Sequence, residues 1–456
     1  MAHRTDTVSG SVYLDPHRSG LLERPDFKGK GLYEETDYKV SSSARSMLAS
    51  SAVHREPVRE QRTIGRPAVR PHPITSLILR NNPVGLGNTG NNCWLNTLLQ
   101  TVVLTTPQLM DWIMDVELPL TDEDFATDVR AYREVFEAPI PGGLETEARK
   151  ELIRIKDEAR QNYIRMHLKQ FLFSYYEHQV LGGTPVPQEE TQALRVALSC
   201  LSDQISPSAA VQEDSTEGLT TLMNLLPEDS PLYTAMVTTL TLDARAHPLP
   251  VGHSGTSVVR KNEWGNVPLP IGRERNFTRL ISSFLTHRNP EHEGLDLRGR
   301  DGSDHRYIPI HEKRQFDSPP PFLFVQLKRF EWRVRNVERT VGGFFGFGGR
   351  KEVVQEHYRV KIRDPISVSR GIHFTPTFIG GTPAGNLARY RINSICVHSG
   401  ATLSSGHYWS LIRRGTDWWY VSDRTSRKAT EQEIETAFNE GYNYQFQFMG
   451  SIPDPA

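Results

Sequence analysis

Cysteine is scarce in this chain. Its 456 residues hold three, Cys93, Cys200 and Cys396. Three thiols make no disulfide framework. No Cys-x-x-Cys pair is present, and one chain with three cysteines cannot build a four-cysteine zinc site. Excess charge is missing too. The 53 Lys+Arg residues face 54 Asp+Glu, a net of -1, which argues against a nucleic-acid binder or a polybasic membrane clamp. No apolar run approaches the ~18 residues needed to span a bilayer. Met1-Ala2-His3-Arg4-Thr5-Asp6 leads into no apolar segment of the kind a secretory signal carries. A reducing compartment is the expectation: cytoplasm or nucleus, or a host cytosol if the source is bacterial. Apolar residues are also few, at 37% with a mean hydropathy of -0.49. Some of the chain is therefore expected to be solvated tail or long loop.

Residues 1–80 carry 13 basic and 9 acidic side chains, a net of +4. Residues 1–73 lack sustained periodicity and read as a disordered tail. Order is expected from Ile74 to Leu79, a short apolar stretch that suits either a strand or a helical turn. Turn formers follow from Gly85 to Asn92. Helical spacing then runs from Cys93 to Leu104 and stops before Pro107. Residues 143–180 predict one long amphipathic helix or a helical hairpin, with shorter helices over roughly 188–205 and 214–225. Beyond Pro227 the pattern changes to short β-prone runs: Met236–Leu242, Phe322–Leu327, Val353–Ile362, Ile392–Val397, Tyr408–Ile412, Trp419–Val421 and Tyr444–Met449. Helices first and antiparallel strands later predict an α+β fold. The Gly-Phe run 342–349 reads as a mobile hairpin tip, or more sharply as a flap that touches substrate.

The chemistry concentrates in three places. Cys93 falls at a loop-to-helix junction, where the positive end of a helix favours a thiolate. Asn88, five residues earlier, offers an amide to a developing oxyanion. His407 lies far downstream in Ser405-Gly406-His407-Tyr408-Trp409, with Asp423 sixteen residues on. Two strands joined at Gly415 would bring Asp423 beside the imidazole. A thiol, a base and a group that orients the base are what a cysteine protease needs.

The Cys segment Gly85-Leu86-Gly87-Asn88-Thr89-Gly90-Asn91-Asn92-Cys93-Trp94-Leu95-Asn96-Thr97-Leu98-Leu99-Gln100 resembles the Cys box of the ubiquitin-specific proteases, the papain-like cysteine deubiquitinases. The His box is similar too, through Tyr390-Arg391-Ile392, Val397-His398-Ser399-Gly400, Gly406-His407-Tyr408, Trp419 and Asp423. Gln326-Leu327-Lys328-Arg329-Phe330 resembles an internal strand of the family. Gln212-Glu213-Asp214-Ser215-Thr216-Glu217-Gly218-Leu219 resembles a helix start, and Tyr444 to Phe448 a closing strand. The resemblance covers residues 84–450 in patches. It implies a papain-like α+β fold of thumb, palm and reduced, zinc-free fingers over residues 74–456. The thumb would span about 84–226 with a helical insertion at about 120–205, and fingers and palm about 227–450. It implies Cys93 as nucleophile, His407 as general base and acid, and Asp423 as the group that fixes the imidazole. Asn88 and the Cys93 N–H would form the oxyanion site. Asp214 would pair with an arginine of the ubiquitin tail, with Gln212 and Tyr408 lining the same cleft. Ubiquitin and ubiquitinated proteins are the implied partners of a monomer, with no nucleic acid, no cofactor and no metal.

The departures from the family pattern are specific. The four zinc-binding finger cysteines are absent, and His287, His292, His305 and His311 lack ligand spacing and read as surface residues. Asn92 stands for the usual threonine, Trp94 for tyrosine or phenylalanine, and Gly218 for phenylalanine, which predicts a less anchored helix. Arg424 stands where a second aspartate is usual and would compete with His407 for Asp423. The gap from Cys93 to Gln212 is longer than the family's. Three rivals are weaker. Gly85-x-Gly87-x-x-Gly90 is formally a dinucleotide fingerprint, but Asn81-Asn82 and Pro83 separate the preceding apolar run from its first glycine, and no alternating strands and helices follow. A catalytically dead ubiquitin binder, and a protease for another modifier ending in Gly-Gly, keep the fold.

Overall fold

The computed structural model describes residues 71–453, with breaks at 89, 117–121, 227–229, 231, 233, 243–256, 265, 286–293, 299–304, 317–319, 342–349, 370, 375–385 and 403–404. The tail expected over residues 1–73 falls almost wholly outside these residues, as does the Gly-Phe flap at 342–349. Helices occupy the first half of the described chain. The stretch that suited either a strand or a helix is helix α1, Pro73–Arg80. Local chemistry decides it: His72 accepts the Ile74 N–H through Nδ1, and Pro73 stands in the first turn. Cys93–Thr101 is α2, buried along its whole length, followed by a short 3-10 turn, Val103–Thr105, and by α3, Pro107–Met114.

Asp122–Glu137 forms α4 and Thr146–Val180 forms α5. The predicted helix or hairpin over 143–180 is thus one unbroken helix. Its first half is solvated and carries i,i+3 pairs such as Arg154–Glu151 at 2.6 Å, which contribute little on an exposed surface. Its second half buries Ile164, Leu168, Phe171 and Tyr175 in the same core as Trp94 and Leu98. Gln188–Ser199 is α6 and Ser215–Met223 is α7.

The strands follow. Thr234–Leu242 (β1), Ser257–Trp264 (β2), Gly294–Arg298 (β4) and His305–Phe316 (β5) form an antiparallel sheet in the order β2-β1-β5-β4. This sheet stands where the resemblance implies fingers. Phe330–Val341 (β7) and Arg350–Lys361 (β8) make a long two-stranded ribbon.

The remaining eight strands form the main sheet. Its order is Thr425–Lys428 (β13), Asp417–Ser422 (β12), Ser405–Arg414 (β11), Asn386–Thr402 (β10), Gly441–Pro453 (β14), Phe322–Lys328 (β6) and Val267–Pro270 (β3), with Gly371–Phe374 (β9) also on β10. All pairings are antiparallel except that of β3 with β6.

The run Ser394, Ile395, Cys396, Val397 on β10 is buried on both faces. One face meets the helical core around Trp94, Tyr175 and Cys396. The other meets helices α8 (Phe277–Leu285) and α9 (Glu431–Glu440) through Phe277, Ile395, Leu411 and Phe446. Two-sided burial explains why this strand reads as continuous apolar sequence rather than as alternation. The α+β papain-like arrangement implied by the sequence is the one observed. The four histidines fall where little can be said of them: His287 and His292 lie outside the described residues, and for His305 and His311 only their place on β5 is described.

Candidate active site

Two glycines let the nucleophile loop lie flat against its neighbours. A Cβ on Gly85 would stand 2.3 Å from the Arg424 carbonyl oxygen, and one on Gly87 would stand 2.4 Å from the Gln188 nitrogen. Backbone bonds fill that space. Leu86 N–H donates to the Asp423 carbonyl at 2.7 Å, and Gly87 N–H to Val186 at 2.8 Å. Tyr175 from α5 accepts the Val84 N–H at 3.1 Å, and Gln100 donates to the Val84 carbonyl at 2.7 Å. The Asn88 side-chain oxygen accepts the N–H groups of Gly90 at 2.9 Å and Asn92 at 3.2 Å. The chain is thereby turned into α2 with Cys93 as its first residue.

The Cys93 side chain is buried, at 3% exposure. Burial pushes its thiol up, and the Asp423 carboxylate adds to this. The backbone N–H groups of Tyr408, Trp94 and Cys93 itself pull the other way. The Tyr408 contact locates the sulfur beside β11, against which α2 packs. His407, the residue before Tyr408, sits at the opening of that strand. The two residues expected to share the chemistry are thus brought to one seam from positions more than three hundred residues apart.

The imidazole is held differently from expectation. His407 Nε2 meets the Ser422 hydroxyl at 2.7 Å. Asp423 was expected there, yet its two oxygens are held by amides: Oδ1 accepts from Asn96 and Oδ2 from Asn88, each at 2.8 Å. The hairpin is as predicted, with Arg414 opposite Asp417 and Gly415 in the turn at φ 59°. Its register carries Ser422 to the ring, and the turn beyond it takes Asp423 into the left-handed region at φ 44°, a conformation that aspartate tolerates better than most residues. That backbone turn swings the carboxylate under the nucleophile loop. Arg424 is exposed, and the carboxylate it was expected to compete for is held by the two amides. Asn88, expected to face an oxyanion, has one amide N–H committed to Asp423. Asn96 spends its amide on the same carboxylate and on the Gly87 carbonyl at 3.1 Å.

Arg195 is a second node the sequence did not reveal. It is fully buried. Its guanidinium donates to Asn92 Oδ1 at 2.6 Å, to the Asn91 carbonyl at 3.2 Å, to Ser206 at 2.8 Å and to Val211 at 2.5 Å. It therefore ties the nucleophile loop to the segment leading into Gln212. Asn92, where the family pattern has threonine, gives this arginine a side-chain oxygen. Trp94 and Gly218 explain each other as well. A Cβ on Gly218 would lie 2.6 Å from the Trp94 ring, so the larger aromatic fills the space that the smaller residue vacates.

Asp214 caps α7, accepting the Thr216 N–H at 2.9 Å and the Tyr442 hydroxyl at 2.7 Å. Burial holds its carboxyl above the usual range. Glu217, one turn on, is exposed, yet its carboxyl is pushed up to about 7, first by burial and then by Asp214 and Glu213. Tyr408 stacks on His398 with centroids 4.5 Å apart, and His398 is pushed down to about 4 by burial and by Lys361. Gln212 Nε2 is buried without a protein partner, while Tyr408 meets the backbone of Ser215 and His398 that of Ser405. Among the described residues no cluster of His, Cys, Asp and Glu has the makings of a metal site, and no helix is long and apolar enough to cross a membrane.

Residues 84–446 match the sequence model of the family described as ubiquitin carboxyl-terminal hydrolase. A 58-residue stretch is 38% identical to ubiquitin carboxyl-terminal hydrolase 17-like protein D of Mus musculus, covering 13% of this chain and 10% of the mouse protein. Among solved structures, a SAGA DUB module of Ubp8, Sgf11, Sus1 and Sgf73 bound to monoubiquitin is similar at a TM-score of 0.49 and 14% identity. The match covers 84% of this chain and 72% of that one. The same module bound to ubiquitin aldehyde gives 0.48 and 14%, with the same coverage of 84% and 72%.

Proposed function

For a chain that belongs to the ubiquitin carboxyl-terminal hydrolase family, we propose the activity of a thiol-dependent deubiquitinase. It would hydrolyse the isopeptide or peptide bond after the C-terminal Gly-Gly of ubiquitin. The observation that carries this reading is the seam at which the buried Cys93 thiol, at the first turn of α2, meets the start of β11, where Ser422 pins His407 through Nε2. Pinning Nε2 leaves Nδ1 as the nitrogen for the thiol proton.

Cys93 is the nucleophile in this reading. His407 takes the thiol proton, and the sulfur adds to the carbonyl carbon of the terminal glycine. The oxyanion is met by the Cys93 N–H, unused within the helix because it lies in the first turn, and by the second N–H of Asn88. Losing one such donor typically raises the barrier by ~2.7–4 kcal/mol. The protonated imidazole gives its proton to the departing amine as the C–N bond breaks. Water, deprotonated by the same ring, then cleaves the thioester and frees the carboxylate. Ser422 orients the ring, and Asp423 acts on the loop that holds Asn88.

An extended tail with no side chains at its end suits a narrow cleft at this seam; Tyr408 and His398, at 0% and 2% exposure, lie behind its surface rather than on it. Asp214 already serves two donors of its own chain, so the arginine expected to meet it would be shared with the exposed Glu217.

Ubiquitin and ubiquitin-like modifiers carrying a C-terminal electrophile test the reading. The wild-type chain should form a covalent adduct with the ubiquitin probe, and Cys93→Ala should form none. Labelling only by another modifier would reassign the substrate. Labelling by none, with ubiquitin still bound, would make the chain a binding module.

A further inference from the structure

A recess of about 190 Å³ lies where the turn after α2 meets the end of β11, lined by Arg391, Arg413, Arg414, Asn393, Gln447 and Thr105 among others. Its lining contains three guanidinium groups and no carboxylate. The bonds these arginines make go to neutral acceptors. Arg391 donates to Gln447 Oε1 at 2.9 Å, Arg413 to the Gly415 carbonyl at 2.9 Å, and Arg414 to the carbonyls of Leu104 at 3.0 Å and Arg413 at 3.2 Å. The Nε atoms of Arg391 and Arg414 are buried with no partner at all. Arginine cannot shed its proton to escape such a place, and these three half-buried guanidinium groups stand partly out of water with no counter-charge in the lining. Burial lowers Arg414 and Arg413, and the Arg391 charge adds to the effect on Arg413.

We propose that this recess is a binding site for a small phosphate-bearing anion, a phosphate monoester or pyrophosphate. Three forked donors around one space suit an oxyanion with several oxygens better than they suit a single carboxylate. The Asn393 amide, which donates one N–H to Gln447 Oε1 at 3.1 Å, has a second to offer. The recess leaves room for a phosphate group together with the atoms that carry it.

The site lies well away from the catalytic seam: along β11 from His407 to Arg413 is roughly 20 Å at ~3.3 Å per residue. It also touches both elements that carry the chemistry. Thr105 belongs to the turn after α2, and Arg413 and Arg414 end β11. An anion held there would clamp the distal ends of the two elements whose other ends present Cys93 and His407. The proposal needs nothing from the assignment of the activity, because it concerns binding alone.

Calorimetric titration of the full chain with inorganic phosphate and with pyrophosphate, at fixed ionic strength, tests it, with chloride as the screening control. Saturable one-site binding is expected, accompanied by a rise in melting temperature. Arg391→Gln and Arg413→Gln are the working variants, since Arg414 is more deeply set and its loss risks the fold. Each should weaken binding by about tenfold or more, as expected for loss of a charge-assisted contact, with an unchanged circular dichroism spectrum. Four results would overturn the proposal: a stabilisation that chloride reproduces, binding unaffected in both variants, no saturable binding of either anion, or binding of a phosphoserine peptide without binding of the free anions.

Discussion

His407 Nε2 and the Ser422 hydroxyl are 2.7 Å apart, and this pair takes the place in the site that a carboxylate was expected to fill. A hydroxyl can fix the direction and tautomer of an imidazole, but it carries no charge to balance the imidazolium that forms. The neighbouring carboxylate of Asp423 is spent on two amides instead. Orientation and loop anchoring, often credited to one acidic residue, are here divided between two adjacent side chains.

Ser422→Ala should therefore lower kcat by ~10–100-fold, the loss of one hydrogen bond to a group that becomes charged, with KM for a ubiquitin substrate little changed. Ser422→Asn should restore most of it. Ser422→Asp should raise kcat and extend activity to lower pH, because a negative group beside the ring favours the imidazolium and, through it, the thiolate. A pH profile of kcat/KM for the three variants checks this. An unchanged profile in Ser422→Ala would remove the residue from the mechanism.

Asp423→Asn is expected to act on structure as much as on rate. A carboxamide has one oxygen where the carboxylate has two, so Asn88 or Asn96 loses its acceptor. A loss of ~1–3 kcal/mol of stability is expected, measured by urea denaturation, with a fall in activity through the displaced Asn88. A large fall in rate with no loss of stability would instead mean that Asp423 acts on the imidazole directly.

Trp94 and Gly218 should couple. Gly218→Ala drives a Cβ to 2.6 Å from the indole ring and should cost ~1–3 kcal/mol by overpacking. In Trp94→Phe that cost should largely vanish. A double-mutant cycle on stability gives the coupling, and strict additivity would refute the account.

Arg195→Met removes four hydrogen bonds to the two loops that frame Cys93. The carbonyls left unpaired should cost ~3 kcal/mol or more. The electrophilic ubiquitin probe should label this variant more slowly, because the oxyanion loop loses its support.

The α9 cap sets an acid limit on stability. Thr430 and Glu433 form a capping box, and Arg427 pairs with Glu433 at 2.6 Å. These hydrogen bonds hold the Glu433 carboxyl down at about 2 against an ordinary 4.5. The folded value is the lower one, so its contribution is complete above about pH 4.5 and fades as pH falls toward 2. Glutamine keeps the capping-box bond, so Glu433→Gln loses only the ion pair with Arg427. Its stability, read by melting temperature, should lie below that of the wild type at neutral pH by ~0.2–1 kcal/mol and converge with it in acid.

Much of this was legible in the sequence. Turn residues before Cys93 and apolar spacing after it located the start of α2, and alternation around Gly415 located the hairpin. The capping box Thr-x-x-Glu at 430–433 marks the start of α9 in the sequence, in a short span between two strands. The partner of His407 was not legible, since it depends on a strand register and a left-handed turn at Asp423, and a shift of one residue exchanges a serine for an aspartate. Arg195 was hidden for another reason. It lies on a helix with the ordinary sequence of a surface element, and only the packing of two distant loops around it makes it a buried hub.

Asp423 also works as a rivet. Its main-chain oxygen holds Leu86 and its side chain holds Asn88 and Asn96, while Ser426 hydrogen-bonds the Pro83 carbonyl at 2.5 Å. The helical half and the sheet half of the molecule are thus latched together at the cleft before any ligand arrives. On the activity proposed above, the chain would meet its substrate ready-made, without diverting contact energy from the incoming tail into assembling its own working parts.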